Sequence, residues 1–142
     1  MELIINQLKE LEKAAKLLLS YANDRKKWCF YGDLGAGKTT FIKVICQLLK
    51  VEEGVTSPTY SLVNEYSYPD TKTNTINQLY HLDLYRLRQF EEALDIGIEE
   101  YLYNNSYCFI EWAQIIEPIL PIEVVSIHIE MMEDGSRKIT CL

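Results

Sequence analysis

The residues best equipped for chemistry stand together in Gly32-Asp33-Leu34-Gly35-Ala36-Gly37-Lys38-Thr39, which satisfies G-x-x-x-x-G-K-[ST] at every constrained position. The three glycines permit backbone conformations closed to other residues, so successive N–H groups can turn inward as an anion nest. A helix beginning near Lys38 adds unpaired N–H groups and the positive end of its dipole. The Lys38 ammonium then reaches β- and γ-phosphates, and the Thr39 hydroxyl is a ligand for Mg²⁺. This spacing predicts a phosphate loop that binds a nucleoside triphosphate.

Such a loop must sit between a strand and a helix. Lys27-Trp28-Cys29-Phe30-Tyr31 reads as the buried strand before it. After it, Phe41, Ile42, Ile45, Leu48 and Leu49 recur at helical spacing, and the helix fades near Lys50 with Gly54 at its exit. Upstream, Met1 to Ile5 reads as an edge strand. Leu8, Leu11, Ala15, Leu18 and Ala22 then give an amphipathic helix with Asn6 as its cap.

Downstream, Ser61 to Tyr66 and Ile76 to Tyr85 read as an antiparallel pair joined by a polar loop from Tyr68 to Asn77. Phe90 to Tyr103 is helical with a break at Gly97. Tyr107-Cys108-Phe109-Ile110 is a solid apolar run, as in a central parallel strand. Pro118 and Pro121 bound a linker, and Val124 to Met132 pairs with Arg137 to Leu142 around Glu133-Asp134-Gly135-Ser136. The elements predict an α/β fold. It is a single-domain P-loop NTPase over residues 1–142, three-layered, with a mixed, largely parallel central sheet and antiparallel additions.

A chain of 142 residues with 48% apolar and 25% charged residues can fill a core and is not disordered. It has no apolar run of about eighteen residues and no signal-peptide order, so no membrane role and a cytoplasmic location are expected. Cys29, Cys46, Cys108 and Cys141 form no C-x-x-C pair and read as core filler in a reducing compartment. The net charge of −7 argues against a broad nucleic-acid-binding face.

A phosphate loop needs acidic groups to hold Mg²⁺ and place the attacking water. Glu111 directly follows the apolar strand, where an acid at the end of a neighbouring strand faces the phosphates, and Asp83 is near another strand end. Thr56 to Tyr60 allows two readings, an ordinary Ser-Pro-Thr turn or a switch segment that orders on γ-phosphate and Mg²⁺. The nearest further cation for a γ-phosphate is Arg86, whose side chain could as easily serve structure.

The blocks Gly32–Phe41, Ser57-Pro58-Thr59-Tyr60, His81-Leu82-Asp83-Leu84-Tyr85-Arg86-Leu87 and Ile110-Glu111-Trp112 together resemble the TsaE (YjeE) family. Its members are small bacterial ATPases required for N6-threonylcarbamoyladenosine modification of tRNA. The resemblance implies ATP and Mg²⁺ as cofactors, with Thr40 adding to the phosphate grip. It also implies that Glu111 is the magnesium-site glutamate and Asp83 the catalytic acid. Residues 57–60, including Thr59, match the family's switch-like loop, and Arg137 is similar to a less well matched Gly-x-Arg element. Ala113 stands where many relatives carry proline. The implied partner is a TsaB–TsaD complex, with only indirect involvement of tRNA.

Two rivals use the same loop. A small-molecule kinase needs a second substrate site and usually several arginines, and only Arg25, Arg86, Arg88 and Arg137 exist here. A nucleotide-dependent interaction switch would hydrolyse only incidentally. A GTPase lacks support because no N-K-x-D segment is present.

Overall fold

The computed structural model describes residues 1–142. First come strand β1 (Glu2–Ile5), helix α1 (Glu10–Ala22), strand β2 (Lys27–Tyr31) and helix α2 (Lys38–Leu48). Strands β3 (Val63–Asp70) and β4 (Thr75–Asp83) follow, then two short helices, α3 (Phe90–Asp95) and α4 (Ile98–Leu102). Strand β5 (Tyr107–Glu111), a 3₁₀ segment (Ala113–Ile119) and strands β6 (Val125–Met131) and β7 (Arg137–Cys141) complete the order.

All seven strands join one sheet in the order β1-β7-β6-β2-β5-β4-β3. The four central strands, β6, β2, β5 and β4, pair in parallel, and β3, β7 and β1 add antiparallel edges. This is the mixed sheet with antiparallel additions that the sequence predicts. Central parallel strands are covered on both faces, which is why Cys108, Phe109 and Ile110 form an unbroken apolar run and are all buried.

Alternation along the strands divides the core in two. Trp28 and Phe30 of β2 and Phe109 of β5 pack with Leu18 of α1 and Phe41 and Ile45 of α2. Their neighbours Cys29, Cys108 and Ile110 point the other way, toward Ala93, Ile98 and Ile116. The four cysteines are free and buried, so they act as small core residues. Burial pushes the thiols of Cys29, Cys46 and Cys108 up to about 12, which keeps them protonated and unreactive at neutral pH.

Several local boundaries differ from the sequence reading. Helix α1 starts at Glu10, because Gln7 to Lys9 form a turn in which the Glu10 N–H donates to Gln7 O at 3.0 Å. The expected cap, Asn6, instead gives its backbone N–H to Glu10 Oε2 at 3.2 Å, and Leu8 is exposed. Likewise the β3–β4 strands run on to Asp70 and Thr75, leaving only a short turn. Asp70 stabilises that turn by accepting from the Lys72 N–H and the Asn77 amide. Pro118 does not open a linker but lies inside the 3₁₀ segment. Gly97 does break the helix, in left-handed conformation with φ 76° between α3 and α4.

Candidate functional site

Strand register builds the site. Strand β5 lies between β2 and β4, so Glu111 is paired with Phe30 on one side and with Asp83 on the other. Two carboxylates are thereby set beside the loop that leaves β2. The loop closes with the Ala36 N–H donating to Asp33 O at 3.0 Å, and Gly37, at φ 105°, opens α2 in a left-handed conformation that favours glycine.

Gly32 is fixed by close approach. A Cβ there would lie 2.6 Å from the Ile129 carbonyl oxygen of β6, and that oxygen belongs to a paired strand that cannot yield cheaply. Gly32→Ala is therefore expected to destabilise the fold by about 1–3 kcal/mol, the usual cost of overpacking. Denaturant unfolding of the variant and the parent measures it, and equal midpoints would refute the packing argument.

Around a cleft of about 330 Å³, the Thr39 hydroxyl lies 2.9 Å from each oxygen of Glu111. Glu111 Oε2 also meets His81 Nε2 at 2.7 Å. Asp83 accepts from the Thr59 hydroxyl at 3.1 Å and from the Tyr85 N–H at 3.0 Å. Lys38 donates to the carbonyls of Gly32 and Asp33, and its Nζ stands 4.3 Å from the centre of the Trp112 ring. Burial holds its ammonium below the ordinary lysine range, while Glu111, Asp83 and Asp33 pull the other way.

The expected site residues divide between two surfaces. Leu34, Gly35, Gly37, Lys38, Thr39 and Thr40 line the cleft, and so do Thr59, Asp83, Glu111 and Arg137. Gly32, Asp33 and Ala36 do not; they form the loop's other side, over β6. Arg137 Nε donates to Ala36 O at 2.8 Å, so the guanidinium braces the loop as it borders the cleft. Arg86 points elsewhere, with its guanidinium 5.4 Å from the exposed Tyr60 ring. The cleft cations are Lys38 and Arg137, so of the two readings of Arg86 its position over Tyr60 favours the structural one.

His81 is the residue that spacing failed to single out. Its signal was the interval to Asp83, because residues two apart on a strand share a face. The pair Thr39 and Glu111 offers a hydroxyl and a carboxylate, both hard oxygen donors of the kind Mg²⁺ takes alongside water and phosphate. The residues present fit that ion.

Trp112, next to Glu111, has φ 58° and lies against Tyr85 with ring centres 4.9 Å apart. Trp28 is fully buried at the other end of β2. In a Trp28→Phe variant, Trp112 fluorescence is expected to change on titration with Mg·ATP, because any movement of Lys38 alters the charge over its ring. A flat titration, where calorimetry shows binding, would contradict this.

A glycine loop between a parallel strand and a helix, faced by acids on neighbouring strands, defines a P-loop α/β protein. Comparison with known proteins narrows the class. The profile of the family described as "Threonylcarbamoyl adenosine biosynthesis protein TsaE" matches residues 5–139. A protein of Bacillus subtilis named tRNA threonylcarbamoyladenosine biosynthesis protein TsaE is 37% identical over 92% of this chain and 78% of its own. The protein of the same name from Treponema pallidum is 39% identical over 77% of this chain and 76% of its own. The crystal structure of YdiB from B. subtilis superposes with a TM-score of 0.76 at 31% identity, covering 99% of this chain and 83% of that one. The chain belongs to the TsaE family.

Proposed function

We propose that residues 1–142 form a single P-loop ATPase domain serving tRNA N6-threonylcarbamoyladenosine biosynthesis in the cytoplasm, in association with a TsaB–TsaD complex. The observation that carries the ATPase reading is the contact between Thr39 and Glu111 at the mouth of the phosphate loop. It joins a loop hydroxyl to a strand-end carboxylate, the two donor types a P-loop uses for Mg²⁺. The pathway is carried by family membership. No helix is long and apolar enough to cross a membrane.

The substrate is ATP. Backbone N–H groups of the loop bind its phosphates, and Lys38 turns from its carbonyl partners to neutralise the β- and γ-oxygens. Thr39 and Glu111 would hold Mg²⁺, which when bound neutralises charge on the phosphate oxygens. Asp83 orients a water molecule for in-line attack on the γ-phosphorus and accepts its proton at a carboxylate oxygen. The bond from that phosphorus to the β-phosphate oxygen breaks, giving ADP and inorganic phosphate. Thr59, bonded to Asp83, couples the loop at residues 57–60 to this acid. With a net charge of −7, the protein acts on tRNA through protein partners rather than by gripping it.

The test has two parts. Calorimetry should show ATP binding that strengthens with Mg²⁺, and retrieval of the tagged protein should bring the TsaB–TsaD complex with it in an ATP-dependent manner. Absence of nucleotide binding would remove the ATPase reading, and retrieval without either partner would remove the assignment of partners.

A further inference from the structure

We propose that His81 is a positioning residue that fixes the Glu111 carboxylate from inside the protein; this rests on the reading of Thr39 and Glu111 as the magnesium-holding pair. His81 is fully buried, does not line the cleft, and meets Glu111 Oε2 through Nε2 at 2.7 Å. It therefore acts on nucleotide and metal only through Glu111.

The hydrogen count explains why a donor is needed there. A carboxylate that holds Mg²⁺ is deprotonated and only accepts, so on that reading the ring nitrogen facing it carries the hydrogen. Thr39 lies 2.9 Å from both carboxylate oxygens but has one hydroxyl proton, which can serve only one of them at a time. His81 supplies Oε2 with its own donor and leaves the Thr39 proton for Oε1. Both oxygens are then held, and the carboxylate has a single orientation.

The other ring nitrogen shows that packing alone does not account for a histidine. Nδ1 is buried and has no hydrogen-bond partner within the protein. An apolar ring or branched chain would fill the space without leaving a bare polar atom, which is unfavourable inside a protein. What histidine provides in return is the Nε2 contact. The placement follows from the strands: His81 and Asp83 share one face of β4, and Asp83 pairs with Glu111 of β5. Outer partners of metal-binding groups set their orientation, and removing one typically lowers metal affinity by about 10–100-fold.

The test is the gain in ADP affinity that Mg²⁺ produces, measured by calorimetry with and without the ion in His81→Asn, His81→Gln and Glu111→Gln variants. A glutamine amide reaches the position of Nε2, whereas the asparagine amide stops short of it. His81→Asn is expected to lose about tenfold or more of the gain, and His81→Gln to keep it within about threefold. Neither should alter ADP affinity without Mg²⁺. If Glu111→Gln abolishes the gain while His81→Asn preserves it, the role of His81 is overturned. If Glu111→Gln preserves the gain, the magnesium reading itself fails and the inference falls with it. The wild-type protein offers a check that needs no variant to fold, through nitrogen NMR of its labelled histidines. Hydrogen on Nε2 of His81 supports the proposal, and hydrogen on Nδ1 alone overturns it.

Discussion

Lys38→Ala is expected to lower ATP hydrolysis by on the order of 10²–10³-fold or more, the loss seen when one preorganised charge-stabilising donor leaves an active site. Lys38 is almost wholly buried as a residue, and its ammonium lies beside the loop carbonyls with the Trp112 ring against it. No other lysine lines the cleft, and Arg137 is committed through Nε to the Ala36 carbonyl. Transferring phosphoryl charge would then be opposed from the loop side by backbone N–H groups without a full ammonium charge. Glu111→Ala should behave differently, weakening Mg²⁺-dependent turnover more than nucleotide binding, because Glu111 touches Thr39 rather than the loop's N–H groups. Steady-state phosphate release and calorimetric ATP affinity separate the two. A Lys38→Ala rate close to wild type would remove this lysine from the chemistry.

Alkaline pH should reproduce part of the Lys38 defect. Burial lowers the Lys38 pKa, so the folded protein loses this proton at a lower pH than an ordinary lysine would. Activity that depends on the ammonium is thus expected to fall as pH rises through that depressed value. Bound phosphate would shift the fall upward, since negative charge favours the protonated form.

The phosphate loop and its neighbours were legible because local chemistry and long-range pairing made the same demand. Trp28, Phe30, Phe109 and Ile110 had to be buried on both faces of a sheet, and the glycines had to follow the strand. The pairing of Asp83 with Glu111 was only half visible. Each acid ends a strand, but that the strands are neighbours is a property of the sheet order. His81 was hidden for the same reason, since its partner is 30 residues away and the contact exists only in that register. Local rules failed where side chains outcompeted them. Glu10 reaches back to the Asn6 backbone and shifts the start of α1, and Asp70 tightens a turn that composition alone would make long. Arg86 stayed open between two readings because sequence proximity to Asp83 says nothing about side-chain direction, and its guanidinium settles over Tyr60.

The largest expected effect is that of the proposed partner: the lone protein should hydrolyse ATP slowly and accelerate when a reconstituted TsaB–TsaD complex is added. The cleft holds a single arginine, Arg137, whose Nε braces the loop, while Arg86 turns outward. Cations supplied in trans, or ordering of a switch loop by a partner, complete many related sites. The segment at residues 57–60 has the properties of an element that can be ordered from outside. It has no regular secondary structure, and Tyr60 is 86% exposed. Its hold on the site runs through hydroxyls, from Ser57 to Thr59 at 2.7 Å and from Thr59 to Asp83 at 3.1 Å. A partner covering Tyr60 would press Thr59 and Asp83 into one arrangement and exclude water from the cleft. Completing a nucleotide site in trans raises turnover by about 10³–10⁵-fold in related hydrolases, so a rise of at least about a thousandfold is expected here. Thr59→Ala cuts the link to Asp83 and should blunt the response to the complex more than it changes the slow basal rate. The measurement is steady-state phosphate release with and without the complex, for wild type and Thr59→Ala. Full activity of the lone protein, unmoved by the complex, would mean that Lys38, Arg137 and the two carboxylates suffice by themselves.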